Sequence, residues 1–205
     1  MAESPVPSPA RQRDRRATEA AIVAAGERLL LRDGFPGLNV QTLAAEAGCD
    51  RKLVYRYFEG VDGVVARLGA RAAAELVRAL DAAPAPTGES LRAFARASLA
   101  AWLAALRASP LTLRLMAWAL VERSPALERI EADRAALLQA WMRERRPRLR
   151  VPPEGDPAAL NAVLMAAVQH LALADGGAVG GLTLDEPGWT RVTAALDRLL
   201  AAYPD

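Results

Sequence analysis

The sequence predicts an all-α protein in two parts, a small three-helix head and a longer helical remainder. Three observations carry this. The chain is 52% hydrophobic and rich in Ala and Leu, and both residues favour helix. Apolar side chains recur every three to four positions in segment after segment. Most of the prolines and glycines fall between those segments and punctuate them. A chain of 205 residues with 24% charged suits a small domain joined to a larger one and can bury a substantial core.

Residues 1–15 hold Pro5, Pro7 and Pro9, then Arg11, Arg13 and Arg15, and read as a flexible basic arm. The first helix is expected over 18–33, with Ile22, Ala25, Leu29 and Leu30 on one face. Gly34-Phe35-Pro36-Gly37 stops it. Asn39 is placed to cap a short helix over 40–47, and Gly48 ends it. Asp50 caps a third helix over 51–58. Helix, tight turn, helix at this size is a helix-turn-helix unit. Gly48 can take the left-handed conformation that the turn needs.

Beyond the head, helices are expected over 62–80, 90–107, 111–121, 124–146, 157–174 and 186–202. Prolines break the chain around 83–87 and 147–156, and Pro110 marks another boundary. The segment 111–121 is apolar nearly all round, which places it centrally. Residues 175–181 read as a flexible glycine-rich link. The domains are therefore 1–15 as the arm, 16–61 as the head and 62–205 as the helical remainder.

Composition narrows the chemistry. One cysteine, Cys49, rules out an intramolecular disulfide framework. With a single histidine as well, a zinc centre built on those ligands is not expected, and no metal or other cofactor is. No secretory signal is legible, because residues 1–10 are interrupted by proline and lack an apolar segment, and no membrane helix is, because the longest apolar stretch is too short and contains Gln169 and His170; a cytoplasmic protein without membrane contact is expected. Net charge is only +2, and lies in residues 1–80 with 12 basic and 10 acidic side chains. There is no phosphate loop, dinucleotide fingerprint or nucleophile motif.

The stretch IVAAGERLLLRDGFPGLNVQTLAAEAGCDRKLVYRYFEG resembles the TetR family of bacterial transcriptional regulators. The carrying residues are Ile22 through Gly34-Phe35, Asn39-Val40, Leu43-Ala44, Ala47-Gly48-Cys49 and Tyr55-Arg56-Tyr57-Phe58. Cys49 stands where Val is usual, Asp50 where Ser caps, Lys52 where Gly is common, Leu53 where a small hydroxyl donates to phosphate and Val61 where a lysine is found. The resemblance implies a helix-turn-helix head, then a helical effector-binding and dimerisation domain. It makes 51–58 the recognition helix of a DNA-binding regulator, by default a repressor released by a small, largely apolar effector.

On that reading Arg51 and Lys52 face the groove or its rim, and Arg56 adds charge. Tyr55 reaches a phosphate and Tyr57 faces DNA. Leu53 points outward, where it can touch a thymine methyl. Gln41 and Thr42 from the second helix, and Arg16 and Thr18 from the first, are candidate phosphate contacts. Two copies would read the half-sites of a palindromic duplex. The homodimer would form through Leu160, Val163, Leu164, Ala167, Val168 and Leu171 on one helix and Trp189, Val192, Leu196 and Leu199 on the last. Candidate effector contacts are Phe94, Trp102, Arg114, Met116, Trp118, Trp141, Met142 and His170; each large apolar side chain among them has core packing as its plain alternative. A protein-interaction adaptor on the same scaffold, or a helical-bundle enzyme, are the other function classes. The enzyme lacks any Glu-x-x-His pair for a carboxylate metal site.

Overall fold

A computed structural model describes residues 9–84, 90–145 and 156–201. Among the described residues the chain forms α1 (Pro9–Asp33), α2 (Val40–Ala47), α3 (Arg51–Phe58), α4 (Val61–Ala82), α5 (Leu91–Arg107), α6 (Pro110–Val121), α7 (Pro125–Arg145), α8 (Pro157–Leu173) and α9 (Glu186–Leu200). None of these helices is long and apolar enough to cross a membrane.

Helix α1 starts nine residues earlier than the sequence reading places it. Residues 9–15, expected in the arm, are helical, and residues 1–8 lie outside the described residues. Proline is tolerated in a first turn, and Gln and Arg extend a helix readily. Arg15 Nε donates to Glu19 Oε1 at 2.7 Å, one turn along.

The turns follow the expected chemistry. Asn39 Oδ1 accepts from the Thr42 N–H, and Thr42 Oγ1 accepts from the Asn39 N–H, closing a capping box on α2. Gly48 ends α2 at φ 64°. Asp50 Oδ1 accepts from the Lys52 N–H at 2.8 Å and caps α3. Glu59 ends α3 at φ 61°, a left-handed conformation in a non-glycine residue.

Two compact units emerge. One comprises residues up to Arg71 with Arg114–Ile130; the other comprises Ala72–Leu113 with Glu131 onward. The boundary falls inside α4, α6 and α7. In the first unit Ile22, Leu29 and Leu30 of α1, Leu43 of α2, Val54 and Phe58 of α3, and Val64 and Leu68 of α4 are buried together. Gly26 lets α1 and α4 approach closely, since a Cβ there would lie 3.0 Å from Val64 Cγ1. Glu46 ties α2 to α1 through Arg28 Nε at 2.7 Å and Arg32 Nη1 at 3.3 Å.

In the second unit α8 and α9 pack on α5. The glycine-rich link is a hairpin rather than a loose connection: β1 (Ala178–Val179) pairs antiparallel with β2 (Leu182–Thr183). Gly180 and Gly181 both have positive φ, which a two-residue turn of this hand requires. Val179 and Leu182 pack against Leu184, Trp189 and Val192. Trp189 Nε1 donates to Asp175 Oδ1 at 2.6 Å, and the Arg107 guanidinium lies over its ring.

Helix α6 departs from the expectation of all-round burial. Leu111, Leu115, Met116 and Trp118 are buried, but Leu120 and Val121 at its end are 73% and 83% exposed. Continuous apolarity leaves the buried face undefined; packing chooses it.

Candidate functional site

Helix α3 divides its eight residues between core and solvent. Val54 and Phe58, one turn apart, are buried and fix the helix on the head. Arg51, Lys52, Tyr55 and Arg56 are exposed, and Leu53 and Tyr57 are half-buried on the flanks. Three cations and a tyrosine therefore occupy the outward face.

A groove runs along each side of this face. One, of about 680 Å³, is lined by Gln41, Ala45, Cys49, Arg51, Lys52 and Tyr55, among others. The other, of about 790 Å³, brings Arg16 and Thr18 of α1 together with Arg56 and Tyr57 of α3. Arg16, Thr18 and Gln41, expected as contacts from the first and second helices, thus lie beside the outward face of the third, while Thr42 lines neither groove. Sequence reasoning missed Arg15, which lies over the Tyr57 ring at 5.3 Å to its centroid, while Arg56 lies at 6.0 Å. The Arg15–Glu19 spacing was the signal that the helix reached so far back.

The hydroxyls of the two threonines are engaged within the head. Thr42 Oγ1 donates to the Gly37 carbonyl at 2.6 Å, besides closing the capping box. Thr18 Oγ1 donates to the Asp14 carbonyl at 2.8 Å. Their free capacity for phosphate is smaller than the sequence implies, because local backbone acceptors compete for the same proton. Cys49 is half-buried. Burial pushes its thiol up, and the neighbouring Asp50 charge adds to this. A thiol held protonated is a weak nucleophile.

The candidate effector residues are divided between the two units. Phe94, Trp102, Met116, Trp118 and Trp141 are buried, Met142 is half-buried, and Arg114 and His170 are exposed. Arg114, Met116 and Trp118 belong to the first unit and the rest to the second. Trp118 contacts Phe35 and donates its Nε1 proton to Glu122 Oε2 at 2.7 Å, so it is a core residue of the head's unit. Arg114 needs no buried partner because it reaches solvent. A groove of about 940 Å³ lies in the second unit between the end of α4 and α5, but its walls are mostly alanine, with Arg92 and Arg96. None of the eight candidates is among the residues that line it.

The dimerisation stripe splits into two faces. Leu164, Val168, Trp189 and Val192 turn inward and are buried in their own chain, and Leu171 and Leu196 pack at the margin of that core. Val163 and Leu199 remain 65% and 61% exposed, with Leu160 and Ala167 also outward. A near-heptad stripe wide enough for two faces does not say which one a partner covers.

Residues 22–68 match the family described as bacterial regulatory proteins, tetR family. No curated protein matches the chain. A TetR family regulator from Marinobacter aquaeolei VT8 is similar over 95% of this chain and 99% of its own, at 20% identity and a TM-score of 0.56. The regulator PfmR from Thermus thermophilus is similar over 90% of this chain and 95% of its own, at 16% identity and a TM-score of 0.58. The multidrug binding protein EbrR, solved with imidazole, is similar over 91% of this chain and 95% of its own, at 22% identity and a TM-score of 0.59. At these identities the likeness is one of fold. The chain thus carries the tetR family's domain at residues 22–68 and is similar in fold, over most of its length, to regulators of that family.

Proposed function

We propose that the protein binds a palindromic duplex as a homodimer, one α3 to each half-site, and represses transcription until a small, largely apolar effector releases it. Proteins of this family are regulators rather than enzymes. The observation that carries the proposal is the outward face of α3, where Arg51, Lys52, Tyr55 and Arg56 stand exposed on a helix anchored by Val54 and Phe58. A major groove admits one such helix. Arginine there can pair with guanine O6 and N7, or sit on phosphate and position the head without reading sequence.

The outward Leu160, Val163, Ala167 and Leu199 support dimerisation through α8 and α9, since an exposed apolar face of this kind favours a partner. Two helices from each protomer would make a four-helix interface. The effector is supported by the aromatic content of the second unit and by the likeness in fold to EbrR, a multidrug binding protein. Helix α4, unbroken from Val61 to Ala82, is the element through which an effector would shift the balance between binding and non-binding states. Operator binding places this work in the cytoplasm.

The test is selection of bound duplexes from a random pool by the full chain. Enrichment of a two-fold symmetric sequence, with half-sites about one helical turn or a multiple apart, is expected. Affinity should fall steeply with added salt. Failure to enrich any sequence, with binding unchanged in Arg51→Ala and Lys52→Ala, would overturn the proposal.

A further inference from the structure

The threonines expected to hold phosphate from α1 and α2 give their protons to the backbone, Thr18 to the Asp14 carbonyl and Thr42 to the Gly37 carbonyl. A phosphate oxygen needs a donor, and a hydroxyl has only one proton. The groove between α1 and α3 offers other donors. Arg15 lies over the Tyr57 ring at 5.3 Å to its centroid, and Arg56 lies 6.0 Å from the same centroid. These three side chains, with Gln12 and Arg16, line one space of about 790 Å³.

Arg15 is the best placed of these donors. It lies in the second turn of α1, and its side chain rather than the helix end supplies the charge. Among the described residues only its Nε is engaged in a hydrogen bond, donating to Glu19 Oε1 at 2.7 Å. A guanidinium carries five N–H donors, so those on its two Nη atoms remain. The Tyr57 ring steadies the group, because a ring face attracts a cation. The Arg15 side chain is 60% exposed and that of Glu19 22%, so the arginine is the outer member of the pair.

Two guanidinium groups beside one ring repel each other, and an anion beside both offsets that repulsion. Arg56 and Tyr57 belong to α3, so an anion held here is one that α3 meets on the duplex, a phosphodiester. A base edge carries no charge to answer three arginines. Two carboxylates, Asp14 and Glu19, border the same groove and weaken its pull on phosphate. The family's domain begins at residue 22, so Arg15 lies outside it.

We propose that Arg15 binds a backbone phosphate in each half-site, with Arg56 and Tyr57 beside it, and that Glu19 competes for its guanidinium and so limits the affinity. The proposal rests on the duplex-binding reading above and adds to it one contact and one restraint.

The test is titration of the full chain against the duplex it selects, across salt concentrations. Arg15→Ala should weaken binding about tenfold and reduce the slope of log affinity against log salt by about two, one phosphate per half-site. Glu19→Gln should act in the opposite direction and tighten binding about threefold. That gain should shrink in the Arg15→Ala background. A purely structural ion pair would give the two single variants the same sign, since either one breaks it. Where Arg15→Ala shortens α1, Arg15→Lys keeps the charge on a good helix former and should retain the salt slope. Neutral methylphosphonates placed one at a time along the duplex locate the contact. One position in each half-site should weaken the unaltered protein and leave Arg15→Ala indifferent. Equal losses for both proteins at every position, an unchanged salt slope in Arg15→Ala, or weaker binding by Glu19→Gln would overturn the proposal. A chain that selects no duplex overturns the regulatory reading and this contact together. One that selects a duplex without help from Arg15 loses only the contact.

Discussion

Tyr55 stands exposed on the outer face of α3. Tyr55→Phe removes only its hydroxyl. Titration against two different operators should show binding weakened about fivefold on both, with the preference between them unchanged, because phosphate contacts carry no sequence information. A changed preference would make Tyr55 a base reader instead. Arg51 and Lys52 were legible as exposed cations at the start of a short capped helix, because Val54 and Phe58 fix which face turns inward. Arg15 was not, since its role depends on an α1 that reaches back to Pro9 and on the distant Tyr57 ring. Glu59 gives a stability test. Its φ of 61° costs a side-chain-bearing residue roughly 1 kcal/mol that glycine avoids. Offset by the added freedom of the unfolded chain, Glu59→Gly should stabilise by about 0.5 kcal/mol and raise Tm by about 2 °C in a thermal melt. An unchanged or lower Tm would mean that Glu59 makes a compensating contact.

At the scale of elements, α2 is held to α1 by charge as well as by Leu43 and Ala44. The hydrogen bond from Arg28 holds the Glu46 carboxyl below its ordinary value of 4.5, and Arg32 adds to this. Arg32 likewise lowers Asp33. A depressed folded pKa means stability that is fully present above the unfolded value and lost as pH falls through the folded one. The head should therefore lose stability progressively below about pH 4.5. Glu46→Gln should flatten part of that acid limb in melts taken across pH, leaving the share that Asp33 supplies. An identical limb in the variant would remove Glu46 from the account. Helix bounds across the chain were mostly legible to within a few residues, because caps such as Asn39, Asp50 and Ser90 act within one turn. The hairpin at 178–183 was not. Its strands are two residues long, too short for alternation to register, and it is held by packing on Trp189 and Val192.

For the whole molecule, the outward face of α8 and α9 carries the prediction. Val163→Glu places a charge on a 65% exposed apolar position that needs no repacking inside the chain. Sedimentation should show the protein shifted towards monomer. Operator binding should lose its simultaneous hold on two half-sites, a loss of about a hundredfold or more, with helicity unchanged. A dimer that survives would place the interface elsewhere. The order of the helices, their turns and the cationic outer face of α3 could be read from the amino-acid chain, because each depends on residues within one or two helical turns. The two faces of α8 and α9 could not be told apart that way, nor could the meeting of Arg15 with Tyr57 be read. Those outcomes came from packing: burial and side-chain contact are set by neighbours brought from far along the chain, and spacing along one helix holds no record of them.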